Sequence, residues 1–414
     1  MPAAPTLLTG RVLTPGGMVE RGAVVLRGDR IAYAGRLADL PAHLSTAAAP
    51  ADWAGGLTLL PGLVDLHCHG GAGGEFGPDA DGGRAAAAHH RRHGTTSLVG
   101  SLVSASPGQL VAGVATTARL VAEGLLAGVH LEGPFLSVAR RGAQDAAALT
   151  DVHAELVTDL VEAADVAGAP QAIVQMTFAP ERPGAGDLPG RLGAYGILPA
   201  VGHTDADDDT TRTTLRTALA SAPRGGRPLV THVFNGMRPL LHRDPGPVAA
   251  ALEQAARGEA VLEVVGDGVH LAAGTVRLLF AAAGADSLAL VTDAMAASGM
   301  PEGTYALGGQ EVVVEGRTAR LAQGGAIAGG VATLLDVVRW CVQEAGIPLA
   351  DAVTAASATP AAAAGFVDVG RLATHTRADV LAVDDDLRPR AVWVNGVRVN
   401  GVGAVGVSGG VARR

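Results

Sequence analysis

The feature that most constrains this chain is a repeated unit: an apolar segment, a polar cluster at its end, then an Ala-rich stretch. Eight such segments occur. The first runs from Leu60 to a pair of histidines, His67 and His69; the others cover residues 95–101, 128–132, 172–178, 197–203, 228–232, 261–265 and 288–293. Each is nearly continuously apolar, as parallel strands covered on both faces are. The intervening Ala-rich stretches read as helices. Eight strand–helix units predict an α/β fold, a (β/α)8 TIM-type barrel with its active site where the strands end. The 58 glycines, scattered among apolar segments, suit its many tight turns.

The two ends have a different texture. Residues 7–13, 23–27 and 31–34 read as short strands, with Gly28-Asp29 as a hairpin signal. Residues 379–383, 391–394 and 397–399 repeat that texture around Asn395-Gly396. This predicts a small β-sandwich domain assembled from both termini, residues 1–59 and 370–414, flanking a barrel at 60–369. Residues 303–323 read as an inserted hairpin, and 333–345 and 351–364 as closing helices.

Composition narrows the classes of function. Of the 414 residues 48% are hydrophobic and only 3% aromatic, so the core must be aliphatic. A net charge of −9 without a basic block argues against nucleic acid as a partner. The apolar runs are too short and interrupted to span a bilayer, and residues 1–5 lack a signal-peptide pattern. Membrane association is therefore not expected. Two distant cysteines, Cys68 and Cys341, cannot build a disulfide framework, which points to a reducing, cytoplasmic setting.

The strand ends carry the chemistry. Alternate side chains of a strand share a face, so His67 and His69 point one way and Cys68 the other. Strand three ends in Glu132, strand five in His203, strand six in His232 with Asn235 beyond, and strand eight in Asp293; strand seven leads to Asp267 and His270. Three His and carboxylate ligands with an open position are what a catalytic zinc-type centre needs. The first histidine pair supplies enough further ligands for two ions. Elsewhere the readings are structural. His89, His90 and His93, among Arg91 and Arg92, read as the solvated face of a helix. Cys68 reads as a packed thiol, and Asp207-Asp208-Asp209 as a helix start. His242, beside Arg243, could meet a phosphate or lie on a loop.

At these residues the chain resembles the amidohydrolase superfamily. Within it, the stretches at 130–135 (His-Leu-Glu-Gly-Pro-Phe), 202–206, 231–237 (Thr-His-Val-Phe-Asn-Gly-Met) and 292–295 are similar to N-acetylglucosamine-6-phosphate deacetylases. The resemblance implies that Glu132, His203 and His232 hold the principal metal and that Asp293 is the catalytic base and acid. His67 and His69 favour a second ion, giving one or two divalent ions per subunit: zinc first, with iron, manganese or cobalt as alternatives. It also implies substrate contacts at Asn235, Gly236, Arg243, Asp267 and His270, and from loops carrying Ala143, Ile327, Ala328 and Gly329. Many members carry a histidine where this chain has Gln144, which can hydrogen-bond but carries no charge. The partner so implied is a small amino-sugar phosphate, and the assembly a homodimer.

All 31 basic side chains are arginines. Related hydrolases that bridge two metals with a carboxylated lysine are thereby set apart, and a Glu or Asp, with Glu132 the candidate, must bridge instead. Arginine, histidine and backbone N–H groups must meet a phosphate. The expected reaction is metal-dependent hydrolysis of the acetamide of N-acetyl-D-glucosamine 6-phosphate. The alternatives are the galactosamine epimer and a non-catalytic barrel homologue.

Overall fold

The computed structural model describes residues 4–53 and 55–402; the parts of the expected β domain at 1–3 and 403–414 lie outside them. Eight parallel strands form one sheet in chain order: Leu63–Cys68, Thr95–Leu102, Gly128–Glu132, Ile173–Phe178, Leu198–Val201, Leu229–Val230, Val261–Val264 and Leu288–Leu290. The sheet closes where the eighth strand meets the first. Cys68 bridges Ala294, the Asp293 N–H donates to the His67 carbonyl at 2.9 Å, and the His69 N–H donates to the Ala294 carbonyl at 2.7 Å. This is the (β/α)8 barrel that the eight-unit pattern predicts. Local chemistry sets the helix starts: Ser106 and Gln109 form a capping box before Pro107–Ala122, and Asp207 caps Asp208–Ser221 by accepting from Thr210 N–H. Among the described residues no helix is long and apolar enough to cross a membrane.

Strands from both ends of the chain share a second, seven-stranded sheet. Its order is Val397–Arg398, Pro389–Val394, Val380–Val383, Thr58–Pro61, Thr6–Thr14, Gly17–Arg27 and Arg30–Arg36. Its two halves fold back on one another: Leu8, Val24 and Ile31 pack in one cluster with Val380, Ala391 and Trp393. Ile31 N–H donates to the Thr376 carbonyl at 2.9 Å, tying the halves at one edge. The strand Thr58–Pro61 belongs to this sheet, so the barrel begins two residues after it, at Leu63. The insert after strand eight is three-stranded (Gly303–Leu307, Gln310–Glu315 and Thr318–Leu321), one strand more than the expected hairpin.

Two of the helical histidines are not solvated. His89 and His90 are 8% and 0% exposed on Ala80–Arg92, and only His93 is half-buried. The reason is a glycine turn. Gly70–Gly71 pairs with Gly74–Glu75, and a Cβ on Gly71 would lie 3.0 Å from His90 Nε2. The bare backbone lets the helix settle against it, and His90 Nε2 donates to the Gly70 carbonyl at 2.9 Å. Cys68 is fully buried as expected, its Sγ 3.3 Å from His90 Nε2.

Burial pushes the His90 imidazole down from 6.5 to about 4, more than its bond to Gly70 raises it. A histidine kept neutral in the fold contributes stability above 6.5 and loses it as the pH falls towards about 4. Between about pH 7.5 and about pH 5 this single group should cost about 2 kcal/mol. His90→Gln, which does not titrate, should therefore lose less stability than wild type over that range in denaturant titrations. Parallel losses would remove His90 as a source of acid sensitivity.

Candidate active site

The mouth of the barrel gathers side chains from five strand ends. Glu132 ends strand three; its Oε1 lies 2.9 Å from His232 Nε2 and 3.0 Å from His203 Nε2, with His67 Nε2 at 3.6 Å. Its Oε2 lies 3.2 Å from His69 Nε2 and accepts from Gln144 Nε2 at 2.6 Å. Asp293 Oδ1 is 3.3 Å from His69 Nε2 and 3.4 Å from His67 Nε2. Two groups able to hold an ion result, Glu132 with His203 and His232, and Asp293 with His67 and His69. The potential ligand atoms of each lie within 4.8 Å of one another.

Backbone geometry at these strand ends is strained. His203, His232 and Asp293 have φ of 47°, 25° and 48°, a region that non-glycine residues rarely occupy. Hydrogen bonds to the carbonyls hold two of them there: Ser137 N–H donates to the His203 carbonyl at 2.9 Å, and Gly330 N–H to the Asp293 carbonyl at 2.6 Å. Gly236, at φ 59°, must be glycine twice over, because a Cβ there would come within 2.7 Å of His203 Nδ1.

Electrostatics show what the donor set requires. Burial raises the Glu132 carboxyl, but His67, His203 and His232 outweigh it and hold the group well below the usual carboxylate range. Asp293 is likewise raised by burial and lowered further by His67 and His69. In return, the His69 imidazole is pushed down by burial but carried up to about 9 by Asp293 and Glu132. Two buried carboxylates thus draw positive charge into the cluster. Imidazole and carboxylate in this proportion fit a divalent metal ion, which supplies that charge without protons.

A cavity of about 210 Å³ opens above the cluster. Ala143, Asn235, Gly236, His270, Ile327 and Gly329 line it, as do His69, Glu132, His203, His232 and Asp293. His67 lies beneath the wall, fully buried. Ala328 is also fully buried and turns away, packing with Met295 and Leu307. Asp267 does not line the cavity but holds His270, with its Oδ2 2.9 Å from His270 Nδ1 and its Oδ1 accepting from Val269 and His270 N–H. His270 Nε2 then stands 3.7 Å from Asp293 Oδ2. Arg243 is exposed, 2.8 Å from His242 Nε2, and does not reach the cavity of its own chain.

Several residues of the site lie outside the sequence expectation. Gly142, Leu307 and Ala326 also line the cavity, Leu307 from the inserted sheet, beside Gln144. Glu263, fully buried on strand seven, lies 2.9 Å from His67 Nδ1. The signal for Glu263 was a single carboxylate within the apolar run of residues 261–265.

Removing the cation should expose the cost of these buried carboxylates. Excess divalent ion should raise the melting temperature of chelator-treated protein, since ligand at a hundredfold over Kd contributes about 2.7 kcal/mol. Glu132→Gln should lose most of that response in thermal scans with and without ion. No response in the wild type would exclude both triads as metal centres.

Comparison with known proteins agrees with this geometry. Residues 58–403 match the amidohydrolase family. The chain is 31% identical over 349 residues to the N-acetylglucosamine-6-phosphate deacetylase of Vibrio furnissii, covering 83% of each chain. To that of Bos taurus it is 33% identical over 392 residues, covering 91% of this chain and 93% of the other. A solved structure of a mutant N-acetyl-D-glucosamine-6-phosphate deacetylase from Mycobacterium smegmatis, in complex with N-acetyl-D-glucosamine-6-phosphate, superposes with a TM-score of 0.86 at 36% identity. That match covers 96% of this chain and all of the other. The chain belongs to the amidohydrolase family and, within it, to the N-acetylglucosamine-6-phosphate deacetylases.

Proposed function

We propose that the chain hydrolyses the acetamide of N-acetyl-D-glucosamine 6-phosphate to D-glucosamine 6-phosphate and acetate, in amino-sugar catabolism and cell-wall recycling. The observation that carries this reading is the pair of His/carboxylate triads meeting at Glu132 beneath one cavity. Glu132, His203 and His232 would hold the principal ion, and His67 and His69, with Asp293 beside them, a second. Zinc is the first choice, with iron, manganese or cobalt as alternatives that suit the same imidazole and carboxylate donors.

When bound, a divalent ion there supplies Lewis-acid polarisation of the acetamide carbonyl and makes an adjoining water more acidic. The remaining work falls to the chain. Asp293, ionised and on the cavity wall, takes the proton of the attacking water. It then delivers that proton to the amide nitrogen, which leaves as an amine only once protonated. Asp267 orients His270 against the second Asp293 oxygen, keeping the carboxylate aimed into the cavity. Gln144 is locked by the Ser104 N–H, which donates to its Oε1 at 2.8 Å, so its amide nitrogen faces Glu132. That leaves a second N–H for a substrate oxygen.

Arg243 is the proposed phosphate ligand, reaching from one protomer of a cytoplasmic homodimer into the site of its partner. Its exposure and its distance from its own cavity support that assignment. Bidentate arginine is well matched to a phosphate dianion.

Acetate release from the two epimeric N-acetylhexosamine 6-phosphates, with and without chelator, tests the reaction. Hydrolysis of the gluco epimer that the chelator abolishes is expected; no release from either epimer would sink the proposal. Asp293→Asn should fold and bind metal yet lose about 10²–10⁴-fold in turnover. A variant within threefold of wild type would take Asp293 out of the mechanism. Arg243→Ala should raise KM for the 6-phosphate and spare unphosphorylated N-acetylglucosamine, lowering the specificity ratio about ten- to a hundredfold. Equal losses on both substrates would make Arg243 structural. Activity regained on mixing Arg243→Ala with Asp293→Asn chains would place the two residues on different subunits, and no recovery on the same one.

A further inference from the structure

We infer that Glu263 is the positioning residue of the second ion site, acting through His67; this rests on the two-ion reading above. Glu263 touches neither the cavity nor the substrate space: it is fully buried on Val261–Val264, one layer below the triads. Its Oε2 accepts from His67 Nδ1 at 2.9 Å and from His232 N–H at 3.3 Å. Its Oε1 accepts from Gln175 Nε2 at 2.9 Å, and Gln175 also donates to the Leu66 carbonyl.

The four imidazoles of the cluster are not backed alike. His203 Nδ1 meets the Arg140 carbonyl at 2.9 Å and His69 Nδ1 the Ser101 carbonyl at 3.2 Å. His232 Nδ1 has no hydrogen-bond partner among the described residues. Only His67 is backed by a carboxylate. An acceptor on Nδ1 keeps the proton there and turns the Nε2 lone pair towards Glu132 and Asp293. A charged acceptor also makes the ring a stronger donor to a metal.

The charge itself demands explanation. A glutamine at this position could satisfy the same neighbours, whereas a buried carboxylate is costly unless paired. No arginine pairs with Glu263; among the described residues its one ion-pair partner is His67. The carboxylate is therefore matched to an imidazole whose far nitrogen faces a cation. The site built on His67 and His69 is reinforced in a way that the site of His203 and His232 is not.

The test reads metal, not turnover. Wild type, Glu263→Gln, His67→Asn and the double variant are loaded with zinc, dialysed against graded chelator and analysed for metal per chain. Glu263→Gln keeps the shape, and Gln175, whose Oε1 has no partner among the described residues, can turn its amide to meet it. Wild type should retain two ions, and Glu263→Gln should release one at about ten- to a hundredfold lower chelator concentration. His67→Asn should release the same ion, and the double variant should be no weaker than His67→Asn alone. Two ions held as tightly in Glu263→Gln as in wild type would overturn the inference and leave the two-ion reading standing. Additive weakening in the double variant would overturn it too, since Glu263 would then act other than through His67. A wild type that holds one ion throughout overturns the two-ion reading and this inference with it. Should Glu263→Gln fail to fold, Glu263→Asp keeps the charge but shortens its reach, and unchanged affinity for the second ion there would overturn the assignment.

Discussion

The Glu132 carboxylate, 3% exposed, faces the Nε2 atoms of four histidines brought in by three different strand ends. A buried anion in such company is tolerable only if positive charge joins it. The cluster meets that demand from its imidazoles or from a cation, and its proportions of nitrogen and oxygen donors suit a divalent ion. Much of the surrounding architecture serves to bring these five side chains into one small volume. The barrel closure between strands eight and one runs through the backbone of His67, His69, Asp293 and Ala294, so closing the fold and building the site are one act.

The same demand extends inward. Beneath the mouth, polar side chains take positions that an ordinary barrel fills with branched aliphatics. His130 lies between Ser101 Oγ at 2.9 Å and Thr177 Oγ1 at 2.8 Å, and Thr177 passes the chain on to Thr231. Asp65 accepts from Thr292 Oγ1 at 2.7 Å, and Gln175 spans from Leu66 to Glu263. Each bond leaves fewer buried groups unpaired and fixes the rotamer of the ligand above it. Rigidity at the candidate metal ligands is thus assembled one layer down, on strands held by the sheet.

The loops above the barrel shape what can enter. The inserted three-stranded sheet lowers Leu307 onto the cavity, and Gln310 donates to the Ala143 carbonyl, coupling the third loop to the insert. Gln144 presents a neutral amide whose orientation the Ser104 N–H dictates. Its donor capacity does not depend on pH, unlike that of an imidazole. It gives the wall a hydrogen-bond donor that adds no charge.

Sequence alone was enough for the barrel, because eight apolar segments interrupted by helical stretches leave few other ways to bury both faces of each strand. It was enough as well for the rim residues, since His67 with His69, Glu132, His203, His232 and Asp293 all sit where apolar runs stop. It misjudged His89 and His90: histidines beside arginines look solvated, and only the glycine turn at Gly70–Gly71 reveals a backbone bare enough to cover them. It passed over Glu263 for a related reason, since a lone carboxylate in a strand has no meaning until His67, almost two hundred residues earlier, is set against it. Likeness alone put Arg243 near the substrate; the fold leaves that side chain exposed, away from the cavity of its own chain. Local order along the chain determines elements and their ends. Which buried groups meet, and so which charges must be balanced, is decided only when strands distant in sequence close into one barrel.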